Sequence, residues 1–207
     1  MAKLMLECNT EPSRATIGGV PHAPDGTAWP TCAECNSPMQ FLAQLPLHDL
    51  GIPNLTNRHQ LLLLFQCQAN PGLCDEWDPD AGGNAALLVS ADDAEPLAVP
   101  AGETQLPAVS MVTLQDYDDS PAHDTPDDAY CEALDASDLV VLGKTAGVPL
   151  WIQGDETPSC DCGERMQFVA QIEAAGGGGI NFGDVGAGYA FVCRTCPASS
   201  KFLWQCG

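Results

Sequence analysis

Two groups of four cysteines constrain the fold of this chain more than any other sequence feature. In each group two cysteines lie close together on a turn-forming stretch, and two more follow after some thirty residues of strand-like sequence. The groups are Cys32, Cys35, Cys67 and Cys74, and Cys160, Cys162, Cys193 and Cys196. This spacing is typical of zinc ribbons, in which two hairpin tips bring four thiolates around one Zn²⁺ ion. The sequence therefore predicts two structural zinc ions, each with four thiolate ligands.

The spacing within the groups leaves alternatives open. The second group begins with a C-x-C pair, and six residues separate Cys67 from Cys74, with the turn-forming Asn70-Pro71-Gly72 between them. A lone C-x-x-C pair would also fit a thioredoxin-like redox site. Cys206 is close enough to Cys196 to replace it as a ligand. Otherwise Cys206, like Cys8 and Cys131, is expected to be a buried free thiol.

The chain also repeats itself with an offset of 126 to 128 residues. Gly19-Val20-Pro21 precedes Cys32 as Gly147-Val148-Pro149 precedes Cys160. Met39-Gln-Phe-Leu-Ala-Gln-Leu45 then matches Met166-Gln-Phe-Val-Ala-Gln-Ile172, Phe65-Gln-Cys67 matches Phe191-Val-Cys193, and Trp77 matches Trp204. Order, spacing and residue type agree over about sixty residues, so we expect an internal duplication with pseudo-twofold symmetry.

The repeated segments have the periodicity of β-strands. Met39, Phe41, Ala43 and Leu45 fall on one face of a period-two strand, and Gln40 and Gln44 share the other face. Further strands are predicted at 61–67, 85–89, 109–117, 139–142 and 189–193. One helix is predicted, with Thr125 as N-cap, Pro126 as its first residue and its end near Leu134. The expected fold is mainly β, an α+β protein with little helix.

Charge is distributed unevenly. The formal net charge is −21, and the stretch 59–143 contains seventeen carboxylates and no lysine or arginine. Such a surface repels phosphate backbones, which argues against nucleic acid as a partner. A basic protein or peptide segment fits better, although acidity also serves solubility alone.

Four segments are expected along the chain. They are an N-terminal segment (1–14), a first repeat with one zinc site (15–90), an acidic connecting segment (91–139) and a second repeat with the other zinc site (140–207). The longest apolar run, Leu61 to Phe65, is too short to cross a membrane, and MAKLMLECNT is not typical of a signal peptide. Together with the cysteine count, this favours a cytoplasmic protein without a membrane partner.

Several of these motifs occur together in a known family. The segments IGGVPHAPDGTAWPTCAECNSPMQFLAQLPL, LLLLFQC, WIQGDETPSCDCGERMQFVAQ and NFGDVGAGYAFVC resemble the bacterial YwqG-like family, whose biochemical function is unassigned. The resemblance covers about residues 15–90 and 140–207. It implies a duplicated, mainly β architecture, and the paired cysteines are those of a zinc-bearing subset. Some YwqG-like proteins occur in toxin–immunity settings.

The order GG-x-P, C-x-x-C, F-L-x-Q and L-F-x-C is also similar to the programmed cell death protein 2 family. That similarity implies chaperoning of a basic ribosomal protein. The sequence as a whole favours a non-enzymatic, zinc-stabilised binding protein for a basic partner, either a chaperone or an immunity-type binder. An enzyme with its site in a cleft between the repeats, near Gly154-Asp155-Glu156 or Gly183-Asp184-Val185-Gly186, is the alternative, and a purely structural subunit is a third.

Overall fold

The structure is a computed structural model that describes residues 1–8, 13–52, 60–107, 109–119, 125–174 and 179–207. It is mainly β, with a single helix in these ranges. The elements are β1 (Ala2–Glu7), β2 (Thr16–Ile17), β3 (His22–Ala23), β4 (Gln40–Pro46), β5 (Gln60–Gln66), β6 (Asn84–Ser90), β7 (Glu95–Pro96), β8 (Ser110–Tyr117), α1 (Pro126–Asp135), β9 (Val141–Thr145), β10 (Gln167–Glu173), β11 (Ala187–Val192) and β12 (Ser200–Gln205). The mainly β prediction is confirmed.

Ten of the strands form one antiparallel sheet, and β3 pairs with β7 outside it. The order in the large sheet is β12-β11-β10-β9-β1-β8-β2-β4-β5-β6. The two edge strands approach each other, and the Ser200 hydroxyl donates a 2.8 Å hydrogen bond to the carbonyl of Ala86. The sheet is therefore nearly closed, which leaves little exposed edge for pairing with other chains.

The centre of the sheet comes from parts of the chain outside the two repeat segments. β1 belongs to the N-terminal segment and β8 to the acidic connecting segment, and β1 pairs along its whole length with β8. On one side follow β2, β4, β5 and β6 of the first repeat segment, and on the other side follow β9 to β12 of the second. The acidic segment therefore contains a strand at the centre of the sheet as well as α1.

The prediction that Met39, Phe41, Ala43 and Leu45 share one face of a strand was wrong. Phe41 pairs with Phe65 and Ala43 pairs with Leu64, so Leu42 is an extra residue opposite two consecutive partners. This β-bulge reverses the alternation after Phe41. Phe41 packs in the cluster near the first cysteine group, whereas Leu42, Ala43 and Leu45 lie in the central core. β4 is buried on both faces.

β10 has a bulge at the matching place. Phe168 pairs with Phe191 and Ala170 with Ala190, which leaves Val169 as the extra residue. Phe168 packs near the second cysteine group, and Val169, Ala170 and Ile172 enter the central core. One shared core thus receives side chains from both halves, and each cysteine group has its own smaller apolar cluster.

The predicted helix is confirmed. The Thr125 hydroxyl accepts a hydrogen bond from the Asp128 N–H at 3.1 Å, and Pro126 begins the helix. Asp127 and Asp128 lie in the first turn, where the helix dipole favours negative charge. Among the described residues, no helix is both long and apolar enough to span a membrane.

Candidate metal centres

The structure brings together the eight cysteines predicted as ligands, in the two predicted groups. Cys32, Cys35, Cys67 and Cys74 have their sulfur atoms within 4.8 Å of one another, and so have Cys160, Cys162, Cys193 and Cys196. The Cys35 and Cys67 sulfurs are 3.6 Å apart, and those of Cys162 and Cys193 are 3.7 Å apart. These distances are far longer than the roughly 2.05 Å of a disulfide bond, and none of the eleven cysteines, all of which lie in the described ranges, forms a disulfide. Each group could hold a metal ion.

Each first pair of cysteines lies on a turn closed by backbone hydrogen bonds. In the first group the Cys32 N–H donates to the Ser37 carbonyl at 2.9 Å, and Asn36 has a φ of 57°. In the second the Cys160 N–H donates to the Glu164 carbonyl at 2.9 Å, and Gly163 has a φ of 88°. Asn and Gly are the residues that best tolerate this left-handed conformation, so the residue after each pair allows the turn to fold back.

The second pairs are held by different connectors. Cys193 and Cys196 are joined by a short turn in which the N–H groups of Thr195 and Cys196 donate to the Cys193 sulfur at 3.4 and 3.3 Å. Such bonds stabilise negative charge on the sulfur. In the first group a longer loop turns at Asn70, where the Leu73 N–H donates to the Asn70 carbonyl at 3.1 Å, as the sequence predicted.

A buried carboxylate organises this longer loop. Glu76 is only 2 % exposed, and its side chain accepts hydrogen bonds from the N–H groups of Gly72 and Cys74. A Cβ at Gly83 would lie 2.0 Å from the Cys74 carbonyl oxygen, so no larger residue fits at position 83. Sequence reasoning missed the role of Glu76 because nothing distinguishes it from the other carboxylates of the acidic stretch.

The thiols of each group differ in acidity. The Ser37 side chain and backbone N–H lower the pKa of Cys35 to about 6, while burial raises that of Cys74. The Cys162 N–H and the Ser199 hydroxyl lower the pKa of Cys160 to about 6. Hydrogen bonds to Cys162 and Cys160 raise the pKa of Cys196 to about 12. Each group thus contains one cysteine whose lowered pKa favours the thiolate at neutral pH. A bound dication would displace the protons of the other cysteines in the group.

The remaining cysteines lie outside both groups. Cys196, rather than Cys206, completes the second group. The expectation that the other three are buried was wrong, since Cys131 is exposed and Cys8 and Cys206 are partly exposed. Cys131 is exposed because it lies on the outward face of α1. His22, the histidine nearest the first group in sequence, lies in β3, where its backbone N–H donates to the Gln44 side chain.

A cavity of about 760 Å³ lies beside the second group. Its wall combines Met1, Gly51 and Ile52 with residues of the second half, including Trp151, Asp155, Arg165 and Arg194. Arg165 forms an ion pair with Asp155, and the Arg194 Nε–H donates to the Gln167 side chain at 3.0 Å. Thr157 and Arg165 lower the pKa of Asp155 to about 2.

One family profile, described as a domain of unknown function (DUF1963), matches residues 15–202. The chain belongs to the DUF1963 family. The match spans both cysteine groups and all but the first strand and the end of the last, and it is consistent with the YwqG-like resemblance. No curated protein matches the chain. Membership of DUF1963 names no activity, so the activity has to be argued from the site.

Proposed function

We propose that each four-cysteine group binds one Zn²⁺ ion with a structural role. Four sulfurs placed tetrahedrally about 2.3 Å from a zinc ion lie about 3.8 Å from one another. The observed distances of 3.6 and 3.7 Å are close to this value. Four thiolates leave no open position for substrate, so the ions would hold the hairpin ends together. The chain would then be part of a zinc-bearing subset within the family.

We propose further that the protein binds a basic protein or peptide segment. The observation that carries this proposal is the density of carboxylates in the stretch 59–143, which has no lysine or arginine of its own. Two ion pairs reach described residues of this stretch from lysines elsewhere, Lys3 with Asp116 and Lys201 with Asp80. Other carboxylates, among them Asp92, Asp93 and Glu95, are exposed. A cationic partner would relieve their repulsion and be steered towards them.

The similarity to the programmed cell death protein 2 family supports the same partner class, because it implies a chaperone for a basic ribosomal protein. An immunity-type protein that sequesters a basic toxin would likewise be an acidic protein that binds a basic partner. Free thiols and thiolate metal sites suit a reducing compartment, so the proposal includes a cytoplasmic location.

A salt-dependent capture experiment tests the partner. Immobilised protein should retain basic proteins from the native host's lysate, and retention should fall steeply as salt rises, because screening shortens the range of steering to about 8 Å at physiological ionic strength. The triple variant Asp92→Asn, Asp93→Asn, Glu95→Gln should retain less. A matched control, Glu34→Gln, Asp49→Asn, Glu164→Gln, removes the same charge from exposed sites outside the stretch.

If the captured proteins are no more basic than the proteome average, the proposal is wrong. The same conclusion follows if salt has no effect, or if both triple variants lose the same amount. In those cases the acidity serves solubility alone.

The large cavity is the best support for the enzyme alternative, because it lies between the chain's first residues and its second half and gathers polar groups. Its carboxylate, however, is a poor general base, since the pKa of Asp155 is lowered to about 2 by Thr157 and Arg165. The other segment named for that alternative, 183–186, lies elsewhere, with Asp184 and Val185 exposed to solvent. Replacing Arg194 and Arg165 by Ala should therefore leave capture of basic proteins intact.

A further inference from the structure

Two tryptophans from distant parts of the chain form a corner where the sheet nearly closes. Trp77 lies in the loop before β6 and Trp204 lies in β12, so the two do not occupy matching strand positions. Their ring centroids are 6.2 Å apart and their planes meet at 86°. The backbone N–H of Trp204 donates to the backbone carbonyl of Trp77 at 3.4 Å, and Trp77 is 41 % exposed.

This corner is one wall of a cavity of about 370 Å³. The lining residues are Trp77, Gln153, Glu156, Trp204, Gln205 and Cys206. The Gln205 side chain donates to Glu156 at 2.8 Å and the Gln153 side chain donates to the Cys206 carbonyl at 2.8 Å. Both glutamines are thus engaged within the wall. Of the residues that line the cavity in the described ranges, Glu156 is the one with a carboxylate, and none is a lysine, arginine or histidine.

The corner is rigidly supported from behind. Phe182 is fully buried and lies under Trp204, with ring centroids 6.1 Å apart and planes at 28°. At Gly183 a Cβ would lie 3.0 Å from the Cys206 sulfur and 3.3 Å from the Trp204 ring. The cavity wall is therefore packed before any ligand arrives, which reduces the entropy lost on binding.

The electrostatics of the cavity favour a cation. Aromatic ring faces attract an ammonium group, and the attraction is strongest for tryptophan. Glu156 adds a full negative charge, and Asp75 and Asp78, both exposed, flank Trp77 in the chain. A cavity of this volume accommodates one side chain and is too small for a folded segment.

We propose that this cavity binds the alkylammonium group of a lysine side chain. The proposal rests on the proposed function, because the lysine would belong to the basic segment that the acidic surface attracts. The ammonium would lie against the ring faces of Trp77 and Trp204 and within reach of the Glu156 carboxylate. N-methylation of that lysine would strengthen binding, because a methylated ammonium is less strongly hydrated and contacts the rings more closely.

The direct test is an NMR titration of the full-length, zinc-loaded protein, observing the indole N–H signals of its four tryptophans. Three capped peptides, Gly-Lys-Gly with lysine, trimethyl-lysine or acetyl-lysine, serve as ligands. We expect saturable shifts of the Trp77 and Trp204 signals with the first two peptides, tightest for trimethyl-lysine, and none with acetyl-lysine. Trp29 and Trp151 should not move.

Two variants separate recognition from packing. Trp77→Leu should abolish the shift of Trp204. Glu156→Gln, which keeps the shape of the wall, should weaken binding about two- to fivefold, the size expected of one exposed ion pair. Glu103→Gln, an exposed carboxylate that does not line the cavity, is the matched control and should change nothing.

Equal shifts with acetyl-lysine, or unchanged affinity in Glu156→Gln, overturn the cavity proposal. If basic proteins are still captured in a salt-dependent way by Trp77→Leu and Glu156→Gln, the cavity proposal fails while the proposed function stands. If capture fails but the trimethyl-lysine peptide still shifts both indoles, the cavity is a cation site and the proposed function fails.

Discussion

The two cysteine groups have the same plan but different surroundings. In the first group Cys32, Cys67 and Cys74 are buried, whereas in the second Cys162 is exposed and Cys196 is partly exposed. The first depends on a long loop held by the buried Glu76, and the second on a short turn with N–H···S bonds. The two groups therefore share the turn that carries the first two cysteines and the hairpin that leads to the third. The segment between the last two cysteines differs between them.

We propose that the two halves descend from one duplicated unit. The shared bulge positions, the matched turns and the order of strands on either side of β1 and β8 support this proposal. If it is correct, equivalent substitutions in the two halves should have similar effects, except where burial or connectors differ.

The largest expected difference is between ligands of the two groups. Cys67→Ser should lower the free energy of unfolding by about 4 kcal/mol, because it removes a proposed zinc ligand at a fully buried position. Cys162→Ser, at an exposed position, should cost about 2 kcal/mol. Chemical denaturation of both variants, each prepared with excess zinc, checks the ranking. Equal losses would mean that burial does not distinguish the groups.

A second pair tests the similarity of the halves. The Gln44 side chain accepts a hydrogen bond from the His22 N–H at 2.8 Å, and the Gln171 side chain accepts one from the Leu150 N–H at 2.9 Å. Changing either glutamine to leucine leaves a backbone N–H without its partner, which should cost about 2 kcal/mol. Thermal or denaturant unfolding should give matching losses. A loss confined to one variant would contradict the correspondence.

A third change concerns the connector that only the first group has. Glu76→Gln should lower the free energy of unfolding by about 1.5 kcal/mol, because it replaces charge-assisted hydrogen bonds to the Gly72 and Cys74 N–H groups. Chelator-driven zinc release should become faster for one ion of the two. Asp75→Asn, an exposed neighbour, is the control and should leave both release rates unchanged. Acceleration of both releases would contradict a role confined to the first group.

The smallest effect concerns a position where the halves differ, Thr16 in the first and Lys144 in the second. Lys144 is 1 % exposed and donates to the Val148 carbonyl at 2.8 Å. Burial lowers the pKa of Lys144 to about 8, against the raising effect of nearby carboxylates. The titratable groups around it are Tyr117, Asp119, Asp127, Tyr130 and Glu173.

Because the unfolded lysine keeps its proton to a higher pH, the folded protein gains stability as pH rises through 8. Between pH 7 and pH 9 the wild type should gain about 1 kcal/mol relative to Lys144→Met, which has no such proton. Denaturation of both proteins at the two pH values measures the difference. A constant difference would mean that the pKa of Lys144 is not lowered.

How far the sequence predicts this molecule depends on whether the signal is local. The cysteine groups and the N-cap of α1 were predictable because residue type and spacing over short stretches are enough to identify them. The bulges at Leu42 and Val169 were not, because an extra residue in a ladder changes which face is buried without changing the hydrophobic pattern.

Non-local features were missed for a related reason. β1, with its sequence AKLMLE, has no clear alternation because both of its faces are covered. Leu4 and Leu6 pack in a cluster with Tyr130 of α1, and Met5 lies in the central core. β12 was also not predicted. Trp77 and Trp204 are in contact only because β6 and β12 approach each other at the two ends of the sheet. No spacing in the sequence predicts that the sheet nearly closes.

Metal content tests the central claim most directly. Elemental analysis of protein purified without chelator should give close to two zinc ions per chain, about one for each four-cysteine group. Cys32→Ser and Cys160→Ser should each remove about one, and the double variant about two. Less than one zinc per wild-type chain would contradict the account. Loss of the same single ion in both variants would show that the cysteines form one site and that the two-centre interpretation is wrong.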